Sequence, residues 1–229
     1  MTEARARRRA LPLLLLLSAG LVLIGALRWA TLNLDGMDRF ASVPTPAFIV
    51  LTVFVAIRIT HGPMTWRDLG IAVPFKPFQH VALGLAGAAA IALAGEALNP
   101  LWLNVFGETR NLARFESAST IPGLLAFLAL SWTFAAVGEE IAFRGVLMRG
   151  LTMALGGGAA PALIALLVQA AVFGLVHSYQ GAAGIAATTV SGLIFGGVVL
   201  LARGTLWPAM LAHGFANTYG LVSLYLESG

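Results

Sequence analysis

The chain has 229 residues, of which 59% are hydrophobic and 10% charged, with a mean hydropathy of +0.87. A soluble domain carries about 25% charged residues, so this composition cannot clothe a water-facing surface and points to a membrane protein. Cysteine is absent, which excludes a disulfide framework, an iron–sulfur centre and a zinc ribbon. The net charge of +4 is weighted by Arg5, Arg7, Arg8 and Arg9, a basic tail rather than a surface for nucleic acid.

A spanning helix needs about 20 mostly apolar residues. In chain order the expected spans are Leu11 to Ala30, Val43 to Thr60 (shortened by Pro44 and Pro46), Gln79 to Leu98, Ile121 to Arg149, Pro161 to His177, Gly181 to Ala202 and Leu206 to Leu226. The basic tail followed by an apolar run also resembles a secretory signal. That run is nearer the length of a full span than the core of a signal, so the first helix is expected to stay. With the tail in the cytoplasm, Arg58, Arg67, Lys76, Arg149 and Arg203 fall on the same side, as positive residues should. Arg39, Arg110 and Arg114 fall outside, mixed with Asp35, Asp38, Glu108 and Glu116. The expected fold class is all-α: a polytopic transmembrane helical bundle of about seven helices, in a bacterial-type cytoplasmic membrane with the amino terminus inside. Residues 1–120 are expected to anchor and 121–229 to form the working core. No internal repeat is evident, and the oligomeric state is not legible.

Charged groups within a span cost a few kcal/mol each or more, so they are functional suspects. Glu96 lies near a helix end and reads as interfacial, as do His61 and His80; Arg28 and Arg58 can snorkel. The stretch from Gly138 to Arg144 differs, because it sets two adjacent carboxylates and an arginine in an apolar run. At about 100° per residue, Glu140 and Arg144 share a face one turn apart, in the favourable order for an ion pair. Glu139 points elsewhere and is left in a low-dielectric place, which suits a carboxylate for general-base work. An interhelical salt-bridge cluster is the structural alternative.

His177 closes the fifth span, and His213 and Asn217 lie one turn apart on the last. Either histidine alone reads as a hydrogen-bonded structural residue. Brought into one cavity, two Glu, one Arg, two His and one Asn supply a base, a polariser of water and donors for a developing oxyanion. Gly192-x-x-x-Gly196 lets the sixth span approach a neighbour closely. Phe173 and Phe215 read as core or cavity wall. One length does not fit simple vertical spans: at 1.5 Å per residue, His177 stands about 24 Å above Pro161, whereas Glu140 and His213 stand about 14–15 Å above their helix ends.

Glu-Glu-x-x-x-Arg, then Phe-x-x-x-His, then His-x-x-x-Asn, each on its own hydrophobic helix and in that order, resembles the CPBP intramembrane protease family. That family includes the type II CAAX prenyl endopeptidases and the bacterial bacteriocin-processing and immunity proteins. The resemblance covers about Ile121 to Leu226, including Leu206-Trp207-Pro208 and its approach to His213. It implies a glutamate-dependent intramembrane endopeptidase acting on a membrane-anchored or lipidated protein or peptide within the bilayer. Glu139 would activate water with His177 helping to hold it, His213 and Asn217 would stabilise the oxyanion, and Glu140 and Arg144 would position the site. No cofactor is expected. A divalent metal such as zinc is the alternative, although no His-Glu-x-x-His pair is present. The competing functions are a non-enzymatic immunity or scaffold protein and a polar-relay transporter; the latter would favour broken helices in matching halves, which the sequence does not display.

Overall fold

The computed structural model describes residues 3–34, a few positions from 54 to 71, and 74–228. The expected second span, Val43 to Thr60, and His61 lie outside the described residues. The fold is all-helical where described. Helix α1 runs Glu3–Asn33 and α2 Pro77–Phe106. Helix α3, Ile121–Leu130, continues without a break through a π-helical segment, Ser131–Met148, into α4, Arg149–Ala154. Then come α5, Ala159–Val176, α6, Gly181–Leu201, and α7, Trp207–Glu227.

Local signals in the sequence account for several of these ends. Thr120 caps α3 by accepting from Gly123 N–H at 3.2 Å, with Pro122 in the first turn, where its missing N–H costs nothing. Pro77 and Pro208 likewise open α2 and α7. Gly107 ends α2 in a left-handed conformation, φ +70°, with its N–H returning to Leu103 O. His80 lies in the first turn of α2, where it is buried, its Nδ1 accepts from Lys76 N–H at 3.2 Å, and its ring packs edge-on against Phe75. It serves as a local tie at the start of α2.

Among the described residues, four helical stretches are long and apolar enough to cross a membrane: Pro77–Phe106, Ile121–Ala154, Ala159–Val176 and Ser178–Leu201. The last helix, α7, reaches 21 residues but is diluted by His213, Asn217 and two tyrosines. Large apolar side chains such as Leu23, Phe78, Leu93, Leu125 and Leu163 point outward. In water such a surface would aggregate; against lipid it is already solvated.

Without a hydrophobic drive between helices in lipid, close backbone approach must hold the bundle, and small residues permit it. A Cβ on Gly84 would stand 2.7 Å from Leu211 Cβ, and one on Gly87 would stand 2.9 Å from Ala212 Cβ, so α2 lies directly on α7. A Cβ on Gly192 would stand 3.0 Å from Ala170 Cα, which bears out the close approach expected of this glycine pair and locates its partner on α5. One core cluster joins Leu21, Phe143, Leu147, Phe173, Phe195 and Ala212, drawing α1, the π-helical segment, α5, α6 and α7 around one centre. The polar residues singled out in the sequence lie beside that centre.

Candidate active site

The doublet sits within the π-helical segment, where hydrogen bonds run i→i+5 and the turn is wider than the α-helix expected there. The ion pair forms nonetheless. Arg144 Nη1 donates to Glu140 Oε1 at 2.9 Å, and both side chains are fully buried. Arg144 is held on other sides by Gly192 O, which accepts from Nη2 at 3.2 Å, and by the faces of Phe173 and Phe195, 4.5 and 5.0 Å from the guanidinium carbon. Burying a guanidinium is tolerable only with such company, since an unpaired buried charge costs several kcal/mol.

His213 reaches the same carboxylate from α7. Its Nδ1 lies 2.8 Å from Glu140 Oε1. An ionised carboxylate can only accept, so Nδ1 carries the hydrogen and Nε2 is the atom turned to the rest of the site. Phe195 stacks on the imidazole at 4.5 Å with an interplanar angle of 18°, which fixes the ring plane. Nε2 then faces Glu139 Oε2 at 3.9 Å.

Glu139 differs from its neighbour as the helical wheel suggested. Its side chain is 22% exposed against 0% for Glu140, and its Oε2 is buried without a hydrogen-bond partner. Two polar atoms at this separation are too far apart for a direct hydrogen bond and can share a bridging water. Glu140 Oε2, Arg144 Nε, Gln169 Oε1, Ser131 Oγ and Ser178 Oγ are also buried and unpartnered, so polar valences concentrate in this part of the bundle.

The two remaining candidates stand farther out. His177 follows α5 directly; its Nδ1 lies 2.8 Å from Phe173 O, and its ring lies 4.6 Å from that of Phe173 and 5.7 Å from that of Tyr179. Phe173 packs against both imidazoles, its ring being 6.1 Å from that of His213. His177, half-buried, follows the end of α5 within electrostatic range of both Glu139 and His213. Asn217, one turn beyond His213, is half-buried and makes no hydrogen bond to the described residues.

Residues outside the motifs complete the site. Gln169 is fully buried and donates to Gly192 O at 2.8 Å, the carbonyl that also receives Arg144. Phe195 and Gly192 lie on α6, which carries none of the six polar candidates. A buried glutamine in the span before His177 was the available signal for Gln169; nothing local marked Phe195. Phe173, read as core or wall, touches Arg144, His177 and His213 at once, whereas Phe215 packs on Trp132 at 5.4 Å.

A catalytic zinc takes three protein ligands and a water. Here Glu140 Oε1 and His213 Nδ1 are spent on each other, which leaves Glu139 Oε2 and His213 Nε2 facing one another. Among the described residues no group of three or more His, Asp and Glu is disposed to hold a metal ion.

This arrangement spans the three motifs, and residues 121–219 match one family model. It is that of the Rce1-like type II CAAX prenyl endopeptidases. The match bears out the resemblance drawn from the motifs, and the Rce1-like segment contains all six polar candidates. It points to CAAX-type intramembrane protease activity, a hydrolase, in an integral membrane protein. The comparison with curated proteins and the comparison with solved structures each return no match.

Proposed function

We propose that the protein is an intramembrane endopeptidase that hydrolyses a peptide bond near the carboxyl-terminal tail or membrane face of a lipidated or membrane-anchored substrate, using water activated by Glu139. The observation that carries this reading is the buried, unbonded Glu139 Oε2, 3.9 Å from His213 Nε2. A water held between these atoms gives up a proton to Glu139 as its oxygen attacks the scissile carbonyl. The C–N bond then breaks, and Glu139 returns the proton to the leaving nitrogen.

His213 lies between two carboxylates, one beside each ring nitrogen. With the half-buried Asn217 amide one turn on, it would stabilise the oxyanion. Glu140 and Arg144 position His213 rather than touch substrate. His177, half-buried, helps to hold the water or the substrate backbone. In this mechanism Glu139 activates the water without a metal, Glu140 Oε1 and His213 Nδ1 being bonded to each other.

The test is cleavage of membrane-anchored tails by the purified chain in detergent, wild type against Glu139→Gln and His177→Ala. Turnover that survives Glu139→Gln would remove Glu139 as the base. Cleavage of no tail by the wild type would favour a non-enzymatic role.

A further inference from the structure

The connection from Gly107 to Thr120 carries two arginines that the site above does not use. This connection is fastened to the turn that follows His177. Asn111 N–H donates to Gln180 O at 2.9 Å, and Arg110 donates to Gln180 Oε1 from Nε at 2.9 Å and from Nη2 at 2.8 Å. Ala182 N–H donates to Glu108 Oε1 at 2.9 Å. At Gly181 the backbone is left-handed, φ +79°, which favours glycine, and an added Cβ would stand 2.6 Å from Glu108 Oε1 and displace that carboxylate.

Fastened in this way, Arg114 holds its guanidinium carbon 4.9 Å from the centre of the Tyr179 ring, which in turn lies 5.7 Å from the His177 ring. Arg110, Arg114 and Glu139 all act electrostatically on Tyr179. Two cations thus stand close to Tyr179, itself beside His177.

Their own partners are neutral. Arg110 bonds an amide and Arg114 covers a phenol ring; among the described residues neither pairs with a carboxylate. Glu108 is engaged by the amino terminus of α6, and Glu116, exposed, forms no ion pair with Arg114. The donors of Arg114 make no hydrogen bond within the described chain. A guanidinium offers five N–H groups in a planar fork, a shape that fits a carboxylate.

We propose that Arg114, supported by Arg110, forms a subsite for an anionic carboxylate, the free carboxyl terminus of the tail that the protease cleaves. The subsite rests on the protease reading for its substrate but not for its chemistry. Laid end to end, the two ring separations keep the Arg114 guanidinium within about 11 Å of the His177 ring, the reach of about three extended residues. A tail anchored at Arg114 therefore brings a bond close to its end beside His177, which lies within electrostatic range of Glu139.

The experiment uses the full chain in nanodiscs and pairs of membrane-anchored tails that differ only in ending as carboxylate or carboxamide. In one arm the tails carry a reduced, uncleavable bond at the scissile position, and affinity is measured. In the other they are cleavable, and kcat/KM is measured. The wild type is expected to bind the carboxylate tail about ten- to a hundredfold more tightly than the amide, the range of a charge-assisted hydrogen bond. Arg114→Gln erases that ratio without weakening amide binding, and Arg114→Lys restores part of it. Equal affinity for both tails in the wild type, or equal loss for both in Arg114→Gln, overturns the subsite. The same anion chemistry exists in lipid headgroups. If the carboxylate preference is absent and the effect of Arg114→Gln tracks the anionic-lipid content of the disc, the cation holds a lipid phosphate and the proposal fails. The affinity arm decides the subsite whether or not cleavage occurs; absence of cleavage counts against the protease reading alone.

Discussion

His213 Nδ1 lies 2.8 Å from Glu140 Oε1, and the same oxygen accepts from Arg144 Nη1 at 2.9 Å. One carboxylate oxygen therefore ties the π-helical segment to α7 and fixes which imidazole nitrogen faces Glu139. Glu140 orients and Glu139 is left available, a division that mutation can expose.

Glu139→Gln removes a charge whose Oε2 has no hydrogen-bond partner. It is expected to lower turnover by about 10²–10⁴-fold, the usual share of a general base, while leaving thermal stability in detergent unchanged or raised. Glu140→Gln breaks bonds to both Arg144 and His213, so it should lower stability and turnover together. Unfolding curves beside cleavage rates separate the two outcomes; equal destabilisation by both variants contradicts the division.

Arg144→Ala leaves Glu140 charged and without its cation in a fully buried place. A loss of about 3–5 kcal/mol is expected. Glu140→Leu combined with Arg144→Met removes both charges and should recover much of that stability without recovering turnover, since His213 Nδ1 then loses its carboxylate partner. Chemical denaturation in mixed micelles measures the coupling.

Gly192→Ala forces α5 and α6 apart, because its Cβ would stand 3.0 Å from Ala170 Cα, and it displaces the carbonyl shared by Arg144 and Gln169. A cost of about 1–3 kcal/mol is expected, with a fall in turnover. Gly197→Ala meets nothing within 4 Å, so it should change stability by less than about 1 kcal/mol, toward stabilisation. Similar melting shifts for the two variants would contradict this account of α5–α6 packing.

Chelation is expected to leave the cleavage rate unchanged, because Glu140 Oε1 and His213 Nδ1 are bonded to each other and the buried cation Arg144 shares that carboxylate oxygen. Full loss of activity in chelator, restored by zinc, would overturn metal-free activation.

Among the described residues, periodicity and composition were enough to place the helices, though not to show that Ser131–Met148 winds as a π-helix. Long apolar runs closed by Gly or opened by Pro become helices because nothing else satisfies their backbone in lipid, and the ends at Gly107, Ile121 and Pro208 follow from chain-local chemistry. The Glu140–Arg144 pair was legible for the same reason: four residues apart, the two side chains meet whether the turn is α or slightly wider. The bond from Lys76 N–H to His80 was not legible, because a contact to the backbone of its own helix start carries no charge pattern.

By itself the sequence determined which segments are helical, which polar residues are too costly in lipid to be idle, and their order along the chain, since each of these depends on neighbours within a turn or two. Only the tertiary structure decided that His213 bonds Glu140 while facing Glu139, that Phe173 packs against both His177 and His213, and that Gln169, Gly192 and Phe195 complete the site. Those relations join residues tens of positions apart, and they are selected by how closely glycine-bearing helices can approach, a property of paired surfaces that no single helix contains.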